Sequence, residues 1–259
     1  MADPPCLYSE LNEHARCVSR LTTGRGFGLR QRHTFSSCYC DALVTLDTQH
    51  ISSLVELSSH TQPHQLAVWT MMSTPDSALA GSLTYRYVTS RLGAEAKVCS
   101  IDTTLGGTVL RSYQLNPSLR LDVGGEAYAS QMGANASVGC RARCQDARGN
   151  THVASAAATP AGFLVLAGST TLAPMRLRFG ATVSGSAARP TASLRASLAC
   201  ALPLPPLPHL LPSWSLELRA SLDSAQQHVA EVVWVNPRTS GVLYYKHGWG
   251  VGLSLSMQQ

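Results

Sequence analysis

Charge is scarce in this sequence. Of 259 residues only 14% are Asp, Glu, Lys or Arg, against about a quarter in ordinary soluble domains, so few ions are present to hold a water-exposed surface. Aromatic residues are also sparse, at 6%. No stretch approaches the roughly 18 uninterrupted apolar residues of a membrane helix, and mean hydropathy is close to neutral at +0.01. If such a chain enters a bilayer, strands must carry it.

Other signals are missing too. The start, Met1-Ala-Asp-Pro-Pro-Cys6, has no basic region followed by an apolar core, and Asp3, Glu10 and Glu13 argue against a transit peptide, so synthesis in the cytosol without a removable leader is expected. The eight cysteines do not form a short secreted framework, and free thiols are expected. Cys38-Tyr-Cys40 and Cys140-x-x-x-Cys144 lack the two-residue spacing of zinc knuckles, while Pro63 between His60 and His64 opposes a helical ligand pair. No metal and no cofactor is expected. No paired carboxylates or Ser-His-Asp order stand out, so no enzyme is expected. The net charge of +5 is spread along the chain instead of clustering, which gives no support to nucleic-acid binding.

What is present is periodicity. Leu7, Leu11, Ala15, Val18 and Leu21 recur at helical spacing with Glu10, Glu13, Arg16 and Arg20 on other faces, predicting a short amphipathic helix within an N-terminal segment over 1–25. Gly24-Arg-Gly-Phe-Gly28 follows as a flexible junction; with no Lys-Ser/Thr after it, it is not a phosphate loop. Beyond it the period becomes two. Met175, Leu177, Phe179, Ala181 and Val183 alternate with Arg176, Arg178, Gly180 and Thr182; Leu216, Leu218 and Ala220 alternate with Glu217 and Arg219. About sixteen such segments fill 26–259, bounded by Pro, Gly, Asn and Asp, and Leu202 to Pro212 reads as a loop because proline cannot donate in a ladder.

Few charges, consecutive strands of about ten residues and a second face of Gly, Ser, Thr and scattered ions point to an all-β chain: one transmembrane antiparallel β-barrel over 26–259. Alternation aims Asp41, Asp47, Glu56, Glu95, Asp122, Glu126 and Glu217 at the lumen, where they offer contact to basic segments or ions. Arg176, Arg178 and Arg219, with Lys97, Arg120 and Arg195, are their natural cross-strand partners. Ala156, Ala158 and Gly162 are small residues that, facing outward, permit close packing by partner helices.

The closing segment carries a resemblance. Lys246-His-Gly248-Trp-Gly-Val251-Gly-Leu253 fits polar-x-Gly-x-x-hydrophobic-x-hydrophobic and resembles the signal by which the sorting and assembly machinery recognises mitochondrial outer-membrane barrels. Together with the N-terminal amphipathic stretch, Leu121-Asp-Val-Gly-Gly-Glu-Ala127 and Pro203-Leu-Pro-Pro-Leu-Pro208, the layout is similar to the eukaryotic porin superfamily, most of all to the channel-forming subunit of the translocase of the outer mitochondrial membrane. The resemblance implies nineteen strands, a location in the mitochondrial outer membrane and a protein-conducting channel for unfolded precursor polypeptides. It also implies small single-span translocase subunits and receptor subunits as partners, in a homo-oligomer or hetero-complex. Lys246, Gly248, Val251 and Leu253 are then the sorting-signal residues. A metabolite porin like the voltage-dependent anion channels, or a barrel that mainly anchors a complex, stand as alternatives.

Overall fold

The computed structural model describes Tyr8, Leu11 and residues 26–34, 38–46, 51–59, 63–73, 78–100, 103–173, 175–186, 189–203, 215–235, 239–246 and 250–258. Nearly all of these residues are strand. In chain order the elements are β1 (Gly26–Thr34), β2 (Cys38–Leu46), β3 (Ile51–Ser59), β4 (His64–Ser73), β5 (Ala78–Val88), β6 (Leu92–Cys99), β7 (Thr104–Asn116), β8 (Leu119–Ser130) and β9 (Gly133–Gln145). They continue with β10 (Thr151–Ala158), β11 (Phe163–Leu172), β12 (Leu177–Ser186), β13 (Arg189–Pro203), β14 (Ser215–Asp223), β15 (His228–Val235), β16 (Thr239–Lys246) and β17 (Gly250–Gln258).

One sheet holds them all. Each strand pairs antiparallel with its neighbours in sequence, and β1 also pairs with β17 in parallel, from Gly26 opposite Gly252 to Arg32 opposite Gln258. Every described strand thus has two hydrogen-bonded neighbours. The parallel pair follows from counting, since in a meander of seventeen strands the first and last run the same way.

Short polar turns set the register. Asp146 Oδ1 accepts from the backbone N–H of Arg148 and of Asn150, and Asp223 Oδ1 accepts from those of Ala225 and Gln227. At the β10–β11 turn, Thr159 Oγ1 accepts from Phe163 N, and Gly162 sits at φ +77, where a side chain would be strained.

The two faces are inverted relative to a water-soluble sheet. Large apolar side chains lie on the exposed face: Leu105 is 61% exposed, Val138 67% and Val251 65%. Ser58, Thr84, Glu95, Thr108, Asp122, Ser137, Arg141 and Glu231 are buried on the other. A soluble domain does the opposite, because burial of apolar area in water contributes about 25 cal/mol per Å².

Several expectations are revised or fall outside the described residues. The helix predicted near the N-terminus lies outside the described residues except for Tyr8 and Leu11. Arg176 is not on a strand face: it stands in the β11–β12 turn at φ +48, exposed, and the alternation ran through it only because Met175 and Leu177 are both apolar. Gly162 likewise belongs to a turn, whereas Ala156 and Ala158 are on β10. Leu202 and Pro203, expected in a loop, belong to β13, which continues to Pro203 opposite Ser215, and the rest of the loop expected over Leu202–Pro212 lies outside the described residues. Seventeen strands are described, against the nineteen that the resemblance implied. No helix among the described residues is long and apolar enough to cross a membrane, which says nothing of strands.

Candidate functional site on the polar face

The polar face carries two belts of charge. The first spans β5 to β9, where period two and the register bring Arg86 opposite Glu95, Ser112 opposite Asp122, and Asp122 opposite Arg141. Arg86 Nε donates to Glu95 Oε2 at 2.8 Å. Asp122, only 1% exposed, accepts from Ser112 Oγ at 2.6 Å and Arg120 Nε at 3.0 Å on Oδ1, and from Arg141 Nε and Nη2 at 3.0 and 2.6 Å on Oδ2. Arg120 Nη2 donates in turn to Ser112 Oγ at 2.7 Å. One carboxylate holds two guanidiniums.

The second belt lies on β12 to β15. Glu217 receives Arg219 Nη2 at 2.7 Å and stands 3.7 Å from Arg178; Arg219 also approaches Glu231 at 3.9 Å, and Arg195 approaches Asp223 at 3.7 Å.

Between β7 and β10 the face is apolar for one short patch. Leu110, fully buried, clusters with Tyr8 and Leu11 beside Ala157. Tyr8 Oη and Ser137 Oγ lie 2.8 Å apart, and Ser137 Oγ donates to Glu126 Oε1 at 2.8 Å. Gly139 makes the room: a Cβ there would lie 2.6 Å from Leu11 Cδ2. Tyr8 and Leu11 are therefore fastened to this wall, with Leu11 N donating back to Tyr8 O at 2.9 Å.

Glu56, Glu95, Asp122, Glu126, Glu217, Arg178 and Arg219 thus occupy the polar face as alternation predicted. Asp41 is on β2 opposite Arg32 and Glu56. Asp47 and Gly248 lie outside the described residues. Of the sorting-signal residues, Lys246 closes β16, whereas Val251 and Leu253 share the apolar face of β17 opposite Tyr245 and Leu243. Residues not singled out by sequence are Arg86, Ser112, Arg141 and Glu231, together with Tyr8 and Leu110. The arginines were visible as alternate positions in Cys140-Arg-Ala-Arg143; Leu110 had no signal, being an apolar residue in the polar phase.

The described side chains on this face comprise nine cations (Arg86, Lys97, Arg120, Arg141, Arg143, Arg178, Arg195, Arg219, Lys246) and seven carboxylates (Glu56, Glu95, Asp122, Glu126, Glu217, Asp223, Glu231). The arrangement forms a mostly ion-paired polar surface whose described side chains carry a slight positive excess. Among the described residues no three His, Cys, Asp or Glu side chains converge as a metal site. Comparison with protein-family models and with curated proteins finds no match.

Proposed function

We propose that the chain is a transmembrane β-barrel of the mitochondrial outer membrane that conducts unfolded precursor polypeptides through its polar lumen. The inverted faces carry this reading: a sheet that exposes Leu and Val while burying Asp, Glu and Arg is matched to hydrocarbon outside and water inside. The parallel pairing of β1 with β17 supports closure, and in lipid closure matters because each unpaired backbone group costs several kcal/mol. Bacterial single-chain barrels have even strand numbers and the mitochondrial anion channel an odd one, about nineteen. An odd meander therefore favours the mitochondrial class. Aromatic side chains lie near both rims, Tyr85 and Tyr113 at one and Phe163 and Tyr245 at the other, as in interfacial girdles.

The function is conduction without bond chemistry. A polar wall hydrates an extended chain that hydrocarbon would strip, and ion-paired carboxylates offer basic presequences weak, successive contacts in place of one deep trap. In this reading the sorting and assembly machinery recognises the last strand, and single-span and receptor subunits assemble on the outside. A second reading, an anion-preferring metabolite pore, is favoured by one observation, the nine cations against seven carboxylates among the described side chains of the polar face.

Planar-bilayer recording with the purified chain tests both. Cation preference with block by a basic presequence peptide is expected for polypeptide conduction. Anion preference without peptide block replaces it with the metabolite pore, and absence of conductance contradicts both.

A further inference from the structure

The apolar face is not uniform. Across β9 to β13 one cross-strand row consists only of small residues: Ala142 opposite Ala154, Ala154 opposite Gly168, Gly168 opposite Ala181, and Ala181 opposite Ala196. Leu121 on β8 and Leu222 on β14 close its ends. Leu166, Val183 and Leu194 wall one side, and Phe179 and Leu198 part of the other. The result is a trench of about 650 Å³.

Its floor suits an extended chain. Four inter-strand spacings make it about 19 Å long, and a continuous Ala-Gly row along it offers a smooth apolar track that an extended hydrocarbon chain can follow.

The open side of the trench points to a headgroup. Toward the rim formed by the β9–β10 and β11–β12 turns, the wall is Cys144, His152 and Thr170, with His152 Nδ1 3.1 Å from Thr170 Oγ1. Each of the two turns carries one exposed arginine, Arg148 and Arg176, and neither has an ion pair among the described residues. Asn150 Oδ1 accepts from Ala173 N at 3.3 Å, tying the two turns together. The one carboxylate there, Asp146, is committed to its own turn through Arg148 N and Asn150, with His152 3.6 Å away. The rim end is thus a fixed pair of turns with a positive excess.

We infer that this trench is a binding site for an anionic phospholipid, one acyl chain lying along the Ala-Gly row and the phosphate held at Arg148 and Arg176. The inference rests on the proposed reading that the apolar face meets lipid. Guanidinium groups suit phosphate because their planar donors match its oxygens.

The test is a native mass-spectrometric titration of the full chain in detergent with dioleoyl phosphatidic acid and, separately, dioleoyl phosphatidylcholine. The first phosphatidic acid should bind more tightly by about fivefold per arginine. Arg148→Gln with Arg176→Gln should bring the two lipids to parity, while Arg91→Gln in the β5–β6 turn leaves the preference intact. Gly168→Leu with Ala181→Leu should weaken both lipids; a Cβ at Gly168 meets nothing within 4 Å, so the fold has room for it. A preference that survives the arginine pair, or binding that survives the filled trench, overturns the inference. So does a trench variant that keeps its lipid but loses a co-purified single-span subunit. Alkali extraction of the chain from mitochondria separates the two levels: an inserted protein without lipid preference sinks only this site, whereas a chain released by alkali removes the membrane reading and the site with it.

Discussion

Replacing Asp122 by Asn keeps shape and removes one charge from the most buried ion cluster of the sheet. The carboxylate accepts four hydrogen bonds, from Ser112, Arg120 and twice from Arg141, and the Arg120 and Arg141 side chains are 13% and 6% exposed. Removing one partner of a buried pair costs about 3–5 kcal/mol. Because Arg120 keeps some contact with water, the low end applies, about 3 kcal/mol, or about a hundredfold in the folding equilibrium. The assay is urea unfolding of the chain reconstituted in phospholipid vesicles, read by tryptophan fluorescence and by gel mobility of the folded form. Arg141→Gln closes a double-mutant cycle, with an expected coupling of about 1.5–3 kcal/mol, the range of a hydrogen bond to a charged group. A loss below about 0.5 kcal/mol, or strict additivity of the two changes, would refute the claim that this pair is buried and mutually neutralised.

Three other outcomes follow from the same geometry. Tyr8→Phe removes the hydroxyl that meets Ser137 and should loosen the seat of Tyr8 and Leu11 by about 1 kcal/mol, seen as faster protease cleavage ahead of β1 with the sheet intact. The β9–β10 turn, which joins two strands at the rim of the sheet, should be pH-sensitive. The Asn150 side chain, then the backbone N–H groups of Asn150 and Arg148, hold the Asp146 carboxyl below its usual range. The turn's protection is therefore fully present above the ordinary carboxylate pKa and lost only as pH falls through the depressed value; hydrogen exchange at the Arg148 and Asn150 amides should show this, and Asp146→Ala should abolish the dependence. Val251→Asp with Gly248→Glu puts charge on the apolar face of β17 and just ahead of it in the sequence, and should leave the newly made chain extractable by alkali at normal synthesis levels.

The face each strand presents was legible from period two alone. Glu95 and Lys97 stand opposite in phase to Ala94, Ala96 and Val98, and so they do in the sheet. Turn chemistry was legible at Asp146-Ala-Arg-Gly-Asn150, where the side chain substitutes for a backbone acceptor. Arg176 was misread because a turn of φ +48 does not interrupt an apolar alternation in the sequence. Pairing partners were less visible. The Asp122–Arg141 contact spans nineteen residues and depends on the register of two twelve- to thirteen-residue strands, which a one-residue slip would reverse. The seat for Tyr8 needed three separate strands to bring Leu110, Ser137 and Ala157 together, and no local pattern encodes that.

The orientation of the two faces is the claim from which the others descend. Cysteine scanning of β8, from Leu119 to Ser130, in a cysteine-free chain inserted in mitochondrial membranes tests it most directly. A membrane-impermeant thiol reagent should label Arg120, Glu126 and Tyr128 positions on the polar face, while Leu121, Val123 and Ala127 positions react only with a lipid-soluble reagent. Uniform labelling by the impermeant reagent at both sets would contradict the account.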